Sequence, residues 1–213
     1  GLLFFIFIIL NIFSENKSIH NFMKYIFIIF RSSIVLLFIA HTLGLIARWY
    51  ISGHAPWGDA YESMIYVAWA TMGIGLLFIK KSDLTLASTS FVTSMILMIA
   101  HWNWMDPSIA NLVPVLNSYW LMIHVSVIVG SYGPFALSMI LGFVSLLLIV
   151  FITTSNKEKI KNQLSELTMI NELSVTVGSI MLTIGNFLGG MWALSLIHIS
   201  EPTRRRGISY AVL

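Results

Sequence analysis

Cysteine is absent from this 213-residue chain, which excludes disulfide frameworks, CxxC redox chemistry and thiolate ligation of a metal within it. Charge is nearly as scarce: Asp, Glu, Lys and Arg make up 10% of the residues, too few to solvate the surface of a soluble domain of this length. An initiator methionine is missing as well. Gly1-Leu2-Leu3-Phe4 begins inside an apolar run and reads as the cut edge of a longer protein, and neither the basic start nor the small-residue cleavage site of a signal peptide is seen.

What is there is apolar. Hydrophobic residues make up 57% of the chain and the mean hydropathy is +0.86, which indicates an integral membrane protein. A spanning helix needs about 20 mostly apolar residues. The expected fold is therefore all-α, a polytopic transmembrane helical bundle of about five full spans plus a partial one at the N-terminus. Residues 1–21 form a hydrophobic stub, Leu2 to Phe13, and a polar link. The spans follow at about Phe22 to Ile46, Tyr61 to Ile79, Leu84 to Ala100, Tyr119 to Thr153 and Leu173 to Trp192, within a membrane domain of residues 22–193. The helix from Tyr119 is longer than the bilayer core requires, so one end projects or tilts. After Lys161 the chain reads as an amphipathic polar link. Arg48-Trp49-Tyr50 and His101-Trp102-Asn103-Trp104 mark interfaces, because aromatic rings and long cationic side chains favour the headgroup level.

Alternating helices place Lys17, Lys24, Arg31, Lys80, Lys81, Lys157, Lys159 and Lys161 on one side and Arg48 alone on the other. By the positive-inside rule, the loops Ile51 to Gly58 and Met105 to Ser118, and whatever follows Trp192, lie outside. Histidine and tryptophan are concentrated there, in His54, Trp57, His101, Trp102 and Trp104, and His124 sits about one turn inside the outer end of its helix.

Residues 194–213, LSLIHISEPTRRRGISYAVL, lack membrane or globular logic and look like translated adapter or vector sequence. Setting them aside lowers the formal net charge from +3 to +1 and removes any reading of Arg204-Arg205-Arg206 as a nucleic-acid patch, so no nucleic-acid partner is expected. His198 is discounted with them.

Without cysteine, a metal or haem can be held only by histidine, methionine or carboxylate. The eleven methionines read as packing. His124 enters an otherwise apolar run, Asn117 to Gly133, and an imidazole there is costly unless it has a partner. On a helix Trp120 and His124 share a face, with Ser131 and Tyr132 two turns further along nearly the same side. Two readings stand side by side: a histidine hydrogen-bonded to a neighbouring helix, and an axial ligand to haem iron. His41, two turns before Arg48, reads as a satisfied packing histidine. His54 and His101 read as solvated loop residues, Arg48 as a partner of phospholipid or of a haem propionate, and Glu62 as a helix-start acid. Gly185-Asn186-Phe187-Leu188-Gly189-Gly190-Met191-Trp192 suits either a close helix approach or a break into a surface platform. A membrane electron-transfer subunit with a b-type haem or quinone site remains the alternative, and would pair His41 with His124 at matching depth.

Three ordered stretches, HTLGLIARWYISGHAPWGDAYESMIYVAW (His41 to Trp69), LVPVLNSYWLMIHVSVIVGSYG (Leu112 to Gly133) and GNFLGGMWA (Gly185 to Ala193), resemble the CcsA/ResC family. These are the membrane subunits of the System II cytochrome c synthase, a haem lyase of the bacterial inner membrane, found also fused to a CcsB-type partner. The resemblance implies that haem b is bound and presented at the outer face, over a tryptophan-rich WWD segment between two external histidines. There it is joined to the CXXCH thiols of apocytochrome c. It assigns His124 as the first external histidine and haem-iron ligand, with Trp120, Gly189, Gly190 and Trp192 about the haem. It also implies a CcsB/ResB-type membrane partner. In the family the chain continues into the WWD segment and a second external histidine, so the foreign tail from Leu194 leaves an expected fragment that is inactive alone.

Overall fold

The computed structural model describes residues 1–13, 17–102, 105–109, 118–152 and 157–210, with the side chains of 11–23, 159 and 195–210 outside that description. Among the described residues there are six helices: α1 (Leu2–Phe13), α2 (Lys17–Ser52), α3 (Ala60–Leu77), α4 (Asp83–His101), α5 (Tyr119–Val150) and α6 (Lys157–Tyr210). Among the described residues there is no strand. The protein is an α-helical membrane bundle.

Four of the helices, α2, α4, α5 and α6, are long and apolar enough to cross a membrane. The expected span at Tyr61 to Ile79 is present as α3, but its 18 residues include Glu62, Thr71 and three aromatic side chains, and it is not among the four. Its helical start is chemically set: Asp59 caps the helix by accepting from the Glu62 backbone N–H at 2.7 Å. Ser82 does the same for α4, accepting from Thr85 N–H at 3.2 Å.

The N-terminal stub is docked rather than loose. Phe4 is fully buried, stacked on Phe30 of α2 with ring centroids 5.1 Å apart, while Phe5 stacks on Phe91 of α4 at 5.3 Å. The inner face of α4 carries Thr85, Ser88, Thr89, Ser90 and Thr93, all buried. Small hydroxylated side chains allow close approach, and several turn back onto carbonyls of their own helix, as Ser88 does on Leu84 at 2.7 Å.

The stretch after Lys161 is a correction. It is helix from Lys157 onward, continuous with the last span. Ile160, Leu167 and Ile170 are buried at helical spacing while Lys157, Lys161 and Glu166 face outward or lie half-exposed, so the amphipathic pattern belongs to a helix packed on α5. Ser138 of α5 donates to Asn171 of α6 at 2.6 Å along this seam. Paired glycines do not break α6 either.

Gly133 sits where α5 crosses α3. A Cβ there would lie 2.9 Å from both Ala70 C and Thr71 N, backbone atoms that cannot rotate away. Gly133→Ala is expected to push the two helices apart at a cost of about 1–3 kcal/mol. The unfolding midpoint in detergent checks it, with Gly142→Ala as the control because nothing lies within 4 Å of that position.

Candidate site around His124 at the bundle mouth

His124 lies on α5 and is held by α6. Its Nδ1 is 2.7 Å from the carbonyl oxygen of Gly185. A carbonyl only accepts, so Nδ1 carries the proton and Nε2 keeps its lone pair. That is the tautomer in which an imidazole ligates a metal through Nε2 while its other nitrogen is fixed by a hydrogen bond. One turn along α6, a Cβ on Gly189 would lie 2.7 Å from His124 Cε1, 3.0 Å from Nδ1 and 3.2 Å from Nε2. The ring therefore lies directly against a bare stretch of helix. Gly185 similarly receives Ile128, so a pair of glycines four apart accepts a pair of side chains four apart.

The other expected site residues divide. Trp120 is one turn nearer the mouth and 43% exposed, edge-on to Tyr119 at 6.3 Å. Trp192 is half-buried on α6, three residues beyond Gly189. Gly190 has nothing within 4 Å of its missing Cβ and lines a separate open groove with Asn186, Phe187 and Met191. The stripe expected to include Ser131 and Tyr132 also splits. Ser131 is fully buried, donating to Ile128 O at 2.6 Å, whereas Tyr132 is exposed, because eight residues advance a helix well past two whole turns.

The loop before α3 packs on the same end of α5, on another side from His124. Trp57 Nε1 donates to Met122 O on α5 at 3.1 Å. A cavity of about 210 Å³ lies between that loop and α5, lined by Trp57, Ser63, Leu121, Met122 and Val125.

Arg48 and Glu62 are corrected from lipid partner and simple helix-start acid. Arg48 Nε donates to Glu62 Oε1 at 2.8 Å, and Glu62 Oε2 accepts from Gly58 N–H at 2.8 Å. The side chains are 13% and 1% exposed, so this is a buried pair. Arg48 further donates to the carbonyls of Pro107 and Ser108 at 3.0 and 3.2 Å and lies over the Tyr61 ring at 5.2 Å. The loop carrying those carbonyls is shaped by Asp106, which accepts from Ser108 N–H at 2.9 Å; that hydrogen bond holds its carboxyl below the usual carboxylate range. The signal was present in sequence as Asp59-x-x-Glu62, a capping-box spacing whose acid had more than one donor to satisfy.

His54 is half-buried rather than solvated, its Nδ1 3.1 Å from Ala55 O and 4.0 Å from Glu62 Oε2, while His101 is exposed at the end of α4. His41 lines a cleft between α2, α3 and α4. It does not share a cavity with His124, so the pairing required by a bis-histidine b-type haem is not formed between them. Trp104, and Leu112 to Asn117 of the second family-like stretch, lie outside the described residues.

Residues 57–197 match the family described as Cytochrome C assembly protein. Protein NrfI of Wolinella succinogenes is 46% identical over 159 residues, 74% of this chain and 17% of that protein. Cytochrome c biogenesis protein CcsA of Prochlorococcus marinus subsp. pastoris is 30% identical over 224 aligned positions, covering 91% of this chain and 69% of its own length. CcsA of Prochlorococcus marinus strain MIT 9515 is 28% identical over 233, covering 91% and 70%. The chain thus spans about a sixth of NrfI and about two thirds of the CcsA proteins, and with its helical bundle and matched residues it belongs to the cytochrome c assembly protein family.

Proposed function

We propose that this chain contributes half of a haem-presenting site to a System II cytochrome c synthase of the bacterial inner membrane. Haem b is the substrate, held at the outer face by Nε2 of His124 and joined there to the CXXCH thiols of an apocytochrome c. The observation that carries this reading is the Nδ1 contact of His124 with Gly185 O at 2.7 Å, which leaves Nε2 as the basic nitrogen. Trp120 and Trp192 supply aromatic faces within a turn of that seat along α5 and α6, and Gly189 makes room for the ring. Bound haem supplies the vinyl groups; the chain's part is to bind, orient and shield, which is positioning catalysis. A CcsB/ResB-type membrane protein is the expected partner. The orientation rests on the cations: Arg31 pairs with Asp83 at one end of the bundle, beside Lys80 and Lys81, and Arg48 lies at the other.

Full-length protein carrying this sequence is expected to purify with haem, seen as a Soret band. His124→Ala is expected to lose that band and cytochrome c maturation together, and added imidazole to restore both. Maturation at the wild-type level in His124→Ala would overturn the assignment.

A further inference from the structure

An open groove of about 410 Å³ lies along α2, lined by Arg31, Ser32, Val35, Leu36 and Ile39, with Ile79 from the turn after α3 as its other wall. Phe27 and Phe30, the α2 rings that meet Phe4 of α1, are on a different face and are not among its walls. The groove is polar at one end and aliphatic along the rest, over about 12 Å of helix. Arg31 is engaged on one side: Asp83, the first residue of α4, accepts from Nη2, and both side chains are still 40% exposed. A guanidinium carries five N–H donors in a flat fork, so one carboxylate oxygen does not satisfy it. Lys80 and Lys81 follow Ile79 directly and are exposed, and Lys24 lies exposed two turns before Arg31 on nearly the same face of α2. Four cations therefore share this stretch of α2 and the α3–α4 turn with one carboxylate, Asp83. The fold sets their level. Residues 78–82 form the turn between two helices, and irregular backbone is excluded from the lipid core, so the turn lies at a membrane boundary; its neighbour Asp83 holds Arg31 there.

We propose that this groove seats an anionic phospholipid, its phosphate oxygens accepting from the Arg31 guanidinium beside Lys80 and Lys81, and one acyl chain lying along Val35, Leu36, Ile39 and Ile79. The open edge of a guanidinium matches two phosphate oxygens by paired hydrogen bonds. A zwitterionic lipid has the same phosphate but brings an ammonium group to a place already rich in cations, which favours the anionic lipid. Inorganic phosphate would meet the cations and leave the aliphatic walls uncovered. The site is formed by α2 and the α3–α4 turn and is independent of the haem reading at α5 and α6.

The test is native mass spectrometry of the full-length protein in detergent, titrated with dioleoylphosphatidylglycerol and, separately, with dioleoylphosphatidylcholine; the readout is the apparent affinity for the first lipid bound. Phosphatidylglycerol is expected to bind about tenfold tighter than phosphatidylcholine, and Arg31→Gln to weaken it about fivefold. Arg31→Gln also strips Asp83 of its partner, so Asp83→Asn separates lipid binding from folding: it frees the guanidinium and is expected to hold or raise the affinity. Leu36→Trp, which fills the groove, is expected to weaken binding by a factor similar to Arg31→Gln, while Leu43→Trp, exposed on the same helix outside the groove, leaves it unchanged. Equal affinity for the two lipids, loss of binding in Asp83→Asn, or wild-type affinity in either Arg31→Gln or Leu36→Trp would overturn the proposal. So would displacement of the lipid by equimolar inorganic phosphate, because the cations would then hold a phosphate from any source.

Discussion

Gly189→Leu is expected to abolish cytochrome c maturation by the full-length protein as completely as removing the His124 imidazole itself, with the protein still inserted in the membrane. A Cβ at 2.7 Å from Cε1 is about 1 Å inside ordinary carbon contact, and the atoms it meets are all in the imidazole ring. The ring must leave its seat or α6 must back away from α5. Either movement breaks the bond to Gly185 O, and with it the fixed tautomer that keeps Nε2 free to ligate. Gly189→Ala makes the same intrusion with one methyl group and is expected to lower maturation at least tenfold. Gly190→Ala, one residue on, adds its methyl group to open space and is expected to leave the ring where it is. Haem-stained c-type cytochrome, normalised to the amount of variant in the membrane, reads all three. Wild-type maturation by Gly189→Leu, or equal damage from Gly190→Ala, would refute the packing argument.

The second large effect is on stability. Glu62→Ala leaves the Arg48 guanidinium in a site where it is 13% exposed without its hydrogen-bonded counter-ion, keeping only the more exposed Asp59 carboxylate at 3.9 Å, and Gly58 N–H loses its acceptor at the same time. Truncating one partner of a buried pair costs about 3–5 kcal/mol, whereas replacing both by apolar groups is often close to neutral. Glu62→Ala and Arg48→Ala are each expected to unfold at markedly lower temperature in detergent, and Arg48→Met with Glu62→Leu to regain most of the loss. Glu62→Gln should fall between, because one amide oxygen cannot serve both Arg48 and Gly58. If either single truncation melted with the wild type, the pair would be a surface contact in energetic terms.

Helix positions were readable because polar loops interrupt apolar runs: α3 begins at the Asp59 cap and α5 at Ser118-Tyr119, where the runs begin. The stretch after Lys161 reads as an amphipathic polar link and is helix instead, because its charged residues lower the average hydropathy while Leu167 and Ile170 continue the buried stripe that starts at Ile160. The position of His124 was legible but its partner was not: Gly185 is 61 residues away, and no local pattern pairs an imidazole with a particular carbonyl. Arg48 failed for the opposite reason. An arginine followed by Trp49 and Tyr50 has the same pattern whether it faces lipid or a protein acid, and only the fold of the intervening loop brings Glu62 to it. His41 reads as a satisfied packing histidine, yet its Nε2 is buried without a hydrogen-bond partner, a detail of side-chain placement that no local pattern carries.

Helix α2, which carries His41, is fastened at few points. Only 6% of the apolar window of α2 is buried by the rest of the chain, yet the helix is tied at two points by an arginine, Arg31 to Asp83 and Arg48 to Glu62. Seventeen residues of helix between those ties measure about 26 Å, close to the depth of a bilayer core. The two arginines therefore act as depth gauges: they fix how high α2 rides in the membrane and oppose its sliding, while between them Trp69 of α3 stacks on Phe38 and donates to Thr42 at 2.9 Å, a single aromatic clip on an otherwise bare helix.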